Sequence, residues 1–528
     1  MPTAQALLAK SLETLKALHD TGRLVVAAED LSETHRARLV TAGYLKPVIR
    51  GWYLTSRPED QDGDTTAWQA RWEEFVARYC EKRFGSMWHL SAELSLHIQT
   101  ATPLPTRQIF VQAAGGKNNV VKLPHGWSIL DMKAPSLAPE SERQNRDGLR
   151  VLSIPYAISQ VSEPFFRLQK ITAQIALELL PDDSDLARVL LAAGKPVVGG
   201  RLVAALRAVG RERDAQSLRK TLEAVGYRVN EVNPFDSPLV TIAPATKRSP
   251  YVLRIHEMWS SMRSHAIEAF GDPPGLPVNI PAYLADVESR YVADAYNSLS
   301  IEGYNVTEDL IERVRSGSWN PASDEDKRSR DTLAAKGYNL AHDKVKNTIG
   351  RILGGENPGS VLRDSFPDWH RALWTPSVQA GILKPENLAG YRNGPVYLKN
   401  ADHVPPSREA VRDCMPELFE LLEREEHPAV RAVLGHYIFV FIHPYMDGNG
   451  RLGRFVMNAM LASGGYPWTV IKMEMRNQYF DALNQASGKG NIMPFAQFLG
   501  ELVRTQSAAT YEPARKSSVS AQKNSRRL

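Results

Sequence analysis

Cysteine is nearly missing from this chain. Cys80 and Cys414 are the only two, far apart and in no Cys-x-x-Cys spacing, which argues against a disulfide framework or a zinc site. Long apolar runs are missing too. The longest near the chemistry identified below, residues 437–442, is far too short to span a bilayer. Met1-Pro2-Thr3-Ala4-Gln5 lacks the charged-then-apolar pattern of a signal peptide. Neither sign of charge dominates. With 64 Lys and Arg against 59 Asp and Glu, the net charge is +5, which does not require a nucleic-acid partner, although local basic patches can still supply one. No internal repeat is visible. These absences predict a soluble protein of a reducing, cytoplasmic compartment with no membrane partner. The 528 residues, 43% apolar and 23% charged, suffice for roughly three domains with large cores.

Helical periodicity covers residues 4–19, where Ala6, Leu7, Leu12, Leu15 and Leu18 form an apolar stripe. It returns at 32–42, which Gly43 can cap. Two β-rich runs, 44–49 and 52–54, flank Arg50-Gly51 as a hairpin. Helices followed by a short hairpin predict a winged helix-turn-helix over 1–56. Residues 57–245 read as an α+β middle domain. It has a helix at 66–83, strands at 108–112 and 127–132, a polar loop at 136–147, helix over 185–227 and a short strand at 227–232. Linker-like segments at 233–238 and 243–250 place the main boundary near 245. Residues 246–506 are mostly helical except 391–404, where Val396-Tyr397-Leu398 suggests one strand of a hairpin. The Ser-rich tail 507–528 is predicted to be disordered. The fold class is mainly α.

The informative segment is His443-Pro444-Tyr445-Met446-Asp447-Gly448-Asn449-Gly450-Arg451-Leu452-Gly453-Arg454. Apolar residues recur at helical spacing on both sides, so the segment is a tight loop between two buried helices. Gly448 and Gly450 let backbone amides turn inward, and the following helix adds its N-terminal dipole. Together they make an anion site suited to phosphates. Asp447 is a hard oxygen ligand suited to Mg²⁺ shared with those phosphates. Arg451 and Arg454 are three apart and share a helix face, from which both can reach phosphate oxygens. His443 suits a general base at neutral pH. Singly, each feature has an ordinary explanation: a helix-end histidine, a turn, two solvated arginines. Gathered in twelve residues, they point to nucleotide chemistry.

These residues closely resemble the Fic family motif His-Pro-Phe-x-Asp/Glu-Gly-Asn-Gly-Arg-x-x-Arg, with Tyr445 in place of phenylalanine. The resemblance covers roughly 250–505. It implies an all-helical domain whose β-hairpin flap, residues 391–404, pins a target segment by strand pairing. It implies that His443 deprotonates a Ser, Thr or Tyr hydroxyl, which attacks the α-phosphorus of ATP as pyrophosphate leaves, with Mg²⁺ on Asp447. Gly448, Asn449, Gly450, Arg451, Leu452, Gly453 and Arg454 would line the nucleotide. So would Val396, Tyr397, Leu398 and Lys399 of the flap, and Tyr479 and Phe480 at the adenine. Ser487 stands where relatives often have asparagine. The alternative for Tyr479 and Phe480 is ordinary core packing.

Upstream, Ser298-Leu299-Ser300-Ile301-Glu302-Gly303 resembles the family's inhibitory motif Ser/Thr-x-x-x-Glu-Gly/Asn. Ser298 and Glu302 share a helix face, and Gly303 can end that helix. The resemblance implies that Glu302 pairs with Arg454 and keeps ATP from binding productively. Residues 1–56 and onward resemble AbiEi antitoxin-like transcriptional regulators. The match rests on Arg50-Gly51-Trp52-Tyr53-Leu54 and Trp88-His89-Leu90-Ser91-Ala92-Glu93-Leu94-Ser95-Leu96-His97. In that arrangement His35, Arg36 and Arg38 would enter a DNA groove, and Lys46 and Arg50 would touch phosphates. The expectation is thus a protein adenylyltransferase modifying a target protein and itself. Its rivals are a DNA-binding regulator with a nucleotide-sensing domain and an enzyme that removes AMP with the same site. A homodimer is left open.

Overall fold

The computed structural model describes residues 3–58, 64–104, 106–236, 239, 249–317, 330–398, 401 and 403–511. The chain divides into two compact units. One comprises residues 1–254 with 397–404, and the other 255–396 with 405–528.

The first unit opens with α1 (Ala4–Asp20), β1 (Val25–Ala27), α2 (Glu33–Thr41), β2 (Leu45–Ile49) and β3 (Trp52–Thr55). Thr3 and Ser32 cap the two helices with their hydroxyls, and Gly43 takes a positive φ of 79° just past α2. The sheet is antiparallel with order β1-β3-β2. Pro47 sits on the edge strand β2, where its missing N–H costs no ladder bond, and the register slips beside it. Leu15, Val26, Leu31, Leu39 and Leu45 close a small core beneath this sheet.

A second sheet of order β4-β5-β7-β6 follows, from β4 (Trp88–Leu90), β5 (Gln108–Ala113), β6 (Asn119–Lys122) and β7 (Ser128–Lys133). Along β5, Ile109, Val111 and Ala113 are buried and their neighbours are not, the period-2 signature of a half-buried strand. The stretch 136–147, read as a loop, contains β8 (Arg143–Arg146), paired antiparallel with β9 (Leu149–Leu152). Its residues are polar because the strand faces outward, so no apolar alternation marked it. Three helices, Ser184–Ala193, Pro196–Ala208 and Glu212–Ala224, fill the expected helical stretch. The strand expected at 227–232 does not form.

The second unit is helical. Pro428–Ile442 is buried on every face except at Val440, as befits a central helix with no polar stripe. Asn449–Ala462 packs against it. Arg330–Leu353 and Pro358–Gln379 form a neighbouring pair. Among the described residues of 391–404 there is no strand, so the expected hairpin is absent there; Lys399 lies outside the described residues. The last helix, Met493–Tyr511, runs past the predicted start of the tail at 507, and residues 512–528 lie outside the described residues. No helix among the described residues is long and apolar enough to cross a membrane.

Gly337 lets the Arg330–Leu353 helix touch its neighbour: a Cβ there would lie 2.0 Å from the carbonyl oxygen of Leu373. Gly337→Ala should therefore force two backbones apart and cost about 1–3 kcal/mol. A lowered denaturation midpoint, against an unchanged midpoint for Gly488→Ala, which meets nothing within 4 Å, checks this.

Candidate functional site

The twelve-residue segment is a loop joining the Pro428–Ile442 and Asn449–Ala462 helices. His443 terminates the first in a left-handed conformation, φ 51° and ψ 60°. A non-glycine residue pays about 1–2 kcal/mol there, so surrounding contacts must hold it. Asn449 supplies one clamp, accepting from the Tyr445 amide at 3.0 Å and donating to the Tyr445 carbonyl at 2.9 Å. Arg392 supplies another. Its backbone N–H donates to the Pro444 carbonyl at 2.9 Å, and its guanidinium donates to the His443 carbonyl at 2.8 Å. Tyr445 is buried, its ring stacked 3.8 Å from His370, so the larger ring is accommodated in the core.

Gly448 starts the second helix at φ 86°, a conformation that favours glycine. A Cβ on Gly450 would sit 2.0 Å from a carboxylate oxygen of Glu302, so a larger residue there would push that side chain aside.

His443 is largely enclosed. Burial is the main influence lowering its pKa, to about 4, so the ring is neutral near pH 7. Nδ1 lies 3.3 Å from the Val440 carbonyl. A carbonyl can only accept, so Nδ1 carries the proton and Nε2 keeps its lone pair.

Arg451 is fully buried, yet none of its three guanidinium nitrogens has a hydrogen-bond partner among the described residues. Its charge rests between two rings, Trp374 at 4.8 Å and Tyr304 at 5.0 Å. The nearest carboxylate oxygen, on Asp447, is 3.7 Å away on a side chain more than half exposed. Such a cation with unspent donors suits an anion, and an exposed carboxylate beside it suits a divalent ion shared with that anion. A cavity of about 430 Å³ opens in front of the loop, with Trp374, Tyr391, Arg392, Tyr445, Met446 and Asp447 in its wall.

Arg454 is engaged at two of its three nitrogens, its Nη1 having no hydrogen-bond partner among the described residues. Its Nε donates to the Ser298 hydroxyl at 2.8 Å, and its Nη2 donates to the Ser298 carbonyl at 2.9 Å and to Glu302 at 2.8 Å. Ser298 lies on the Tyr291–Ile301 helix and Glu302 caps it, with Gly303 turning the chain at φ 83°. Burial works against the Glu302 carboxylate, but the charge and hydrogen bond of Arg454 and the charge of Arg451 hold it below the usual range, so it is ionised. The same carboxylate raises Arg454 despite burial.

The other predicted site residues fall less uniformly. Leu452 and Gly453 are buried in the helix. Tyr479 is enclosed in the core, its hydroxyl 2.8 Å from Nε2 of His436. Phe480 is half-buried with Arg476 over its ring at 4.8 Å, and Ser487 is buried. Val396, Tyr397 and Leu398 are half-buried and non-regular. In the first unit His35 bonds Ser11 at 2.8 Å, and Arg36 is tied to the carbonyls of Ala28 and Leu31. Arg38 and Lys46 are half-buried and Arg50 is exposed. Sequence reasoning missed Trp374, Tyr304 and Arg392. They lie 51–147 positions from the loop residues they serve, and no local spacing links them.

Residues 364–461 match the Fic/DOC family. The chain is 29% identical over 277 residues to protein adenylyltransferase Fic of Nematostella vectensis, covering 52% of this chain and 60% of that protein. It is 36% identical over 218 residues to the protein of the same name from Drosophila grimshawi, covering 40% and 41%. These matches span between two fifths and three fifths of those relatives. A solved structure of Fic-1 from C. elegans covers 66% of this chain and 93% of its own, with a TM-score of 0.37 and 18% identity. The loop with its histidine, aspartate and two arginines lies within the segment of the second unit that matches the Fic/DOC family.

Proposed function

We propose that this protein is an adenylyltransferase that moves AMP from ATP onto a Ser, Thr or Tyr hydroxyl of a protein, itself included, and that Glu302 restrains it. The observation that carries this reading is Arg451, a buried cation none of whose nitrogens has a hydrogen-bond partner among the described residues, in the loop region that also holds a neutral histidine. Nε2 of His443 takes the proton from the acceptor hydroxyl. The hydroxyl oxygen bonds to the α-phosphorus, the bond to the bridging oxygen breaks, and pyrophosphate departs with that electron pair. The backbone amides after Gly448 and the guanidinium of Arg451 meet the negative charge that builds on the phosphates. Asp447 would hold Mg²⁺ against the phosphate oxygens, where the ion supplies charge neutralisation. With the family resemblance, Phe480 is the group expected to approach the base.

The DNA reading of residues 1–56 finds less support. His35 and Arg36 spend hydrogen bonds on Ser11 and on the unit's own backbone, which ties up two of the three groups expected to enter a DNA groove.

His443→Ala should bind ATP with unchanged affinity and lose transfer by about 100-fold or more. Labelled-AMP incorporation, with nucleotide binding measured in parallel, checks it; wild-type incorporation by the variant rejects the mechanism.

Glu302→Gly should raise automodification at least about tenfold, since it frees Arg454 for the nucleotide and removes a like charge from beside it. Combined with Arg454→Ala, the gain should disappear. A Glu302→Gly chain no faster than wild type removes Glu302 from this role.

The pH dependence follows from His443. The neutral ring is the active base, so activity falls as pH drops through its pKa. With that pKa near 4, Glu302→Gly should keep its rate from about pH 7.5 to about pH 5.5, where a histidine of ordinary pKa would lose about tenfold. Removing Glu302 takes away an influence that raises His443, which moves the limb further down. Initial rates of AMP incorporation across that range test this.

A further inference from the structure

Glu302 reaches Arg454 only if the Tyr291–Ile301 helix is held at one rotation and one depth. Asp294, Ser298 and Glu302 are spaced by four residues and line one face of that helix. The last two contact Arg454 directly. Asp294 instead accepts a 2.6 Å hydrogen bond from the hydroxyl of Tyr338, on the Arg330–Leu353 helix. Both side chains are buried. The Tyr338 ring also packs 4.8 Å from Phe455, the residue after Arg454. One phenol therefore touches the helix that leads to Glu302 and the helix that carries Arg454.

We propose that the Asp294–Tyr338 pair is a positioning latch, fixing the Tyr291–Ile301 helix in the register that brings Ser298 and Glu302 onto Arg454. This rests on the reading of Glu302 as a restraint on nucleotide transfer. Three features support it. The pair lies one helical turn from the first Arg454 contact and two from the second, so a small rotation at Asp294 is passed along the shared face. The groups around Asp294 are the Tyr338 phenol, the Trp468 indole, the Ser298 hydroxyl near that phenol and the more distant charge of Arg454, and among the described residues no cation bonds the carboxylate directly. Burial pushes the Asp294 carboxyl up to about 6 against these favourable contacts. A carboxylate is thus kept in a place that disfavours its charge, where an apolar side chain would pack at less cost. What the polar pair adds is a single allowed register. Apolar packing between two helices tolerates sliding, whereas a buried hydrogen bond between two short polar groups does not.

The test uses the full chain with Glu302 intact. Tyr338→Phe removes only the hydroxyl and keeps the ring against Phe455. Asp294→Asn keeps an oxygen that can accept from the phenol. Amide hydrogen exchange over residues 291–302 should accelerate about three- to tenfold in Tyr338→Phe, the range one hydrogen bond accounts for, and stay within about twofold of wild type in Asp294→Asn. AMP incorporation should rise by a similar factor in Tyr338→Phe, and the substitution should add nothing in the Glu302→Gly background. A gain of activity cannot come from misfolding, so it separates a latch from a merely structural contact. Unchanged exchange in Tyr338→Phe overturns the proposal, as does an equal rise in the Glu302→Gly background. Should Glu302→Gly itself show no transfer, the adenylyltransferase reading fails, while the exchange measurement still decides whether the latch exists.

Discussion

A guanidinium taken out of water must be given a substitute for it. Burying an unpaired cation costs several kcal/mol, and the helix after the catalytic loop buries two, three residues apart on one face. Everything near the loop is arranged around how those two charges are met. Arg454 is met by a carboxylate, a hydroxyl and a carbonyl, all from one helix end. Arg451 is met by two aromatic faces and by no hydrogen-bond acceptor among the described residues. Aromatic faces offset charge without using up donors. Two nitrogens of the first arginine are engaged within the fold, while none of the second's three has a hydrogen-bond partner among the described residues.

The backbone of the loop follows from the same requirement. To aim amides at an anion, the chain must turn sharply between two helices, and the turn is built from a left-handed histidine, a left-handed glycine and an asparagine whose side chain bridges the loop. The strain at His443 is compensated by Arg392, which binds the His443 and Pro444 carbonyls and so reaches the loop from 51 positions upstream. Holding His443 this way also fixes Nδ1 near the Val440 carbonyl and settles which nitrogen is basic. Backbone shape and proton chemistry are therefore set by one clamp.

The loop was legible because its pattern is local. Glycine positions, the i, i+3 arginines and the flanking apolar periodicity are all written within about thirty residues, and the structure places them as the spacing requires. The Ser298–Glu302 pairing with Arg454 was legible only through resemblance, since 152 positions separate Glu302 from its partner. Trp374 and Tyr304 were not legible at all, because an aromatic residue at helical spacing looks the same whether it fills a core or faces a cation. The segment around 391–404 misled in the opposite direction. Val396-Tyr397-Leu398 has strand propensity, but a lone run with no partner strand gains no ladder. β8 shows the converse, a polar run made into a strand by its pairing with β9.

Glu302 is also an anion in its own right, and its position says what it competes with. One carboxylate oxygen lies where a side chain on Gly450 would begin, in the first turn of the Asn449–Ala462 helix. A helix N-terminus offers partial positive charge. The carboxylate also feels both arginines. On the proposed reading it holds the guanidinium that a polyphosphate would use. Two anions cannot share those groups in a partly dry pocket, because their repulsion is only weakly screened there. On the proposed reading, a nucleotide that reached Arg454 would have to displace Glu302, and one that did not would leave its terminal phosphate elsewhere. Restraint would then need no separate inhibitory device: it would be competition for one set of donors, decided by how firmly the Tyr291–Ile301 helix is held.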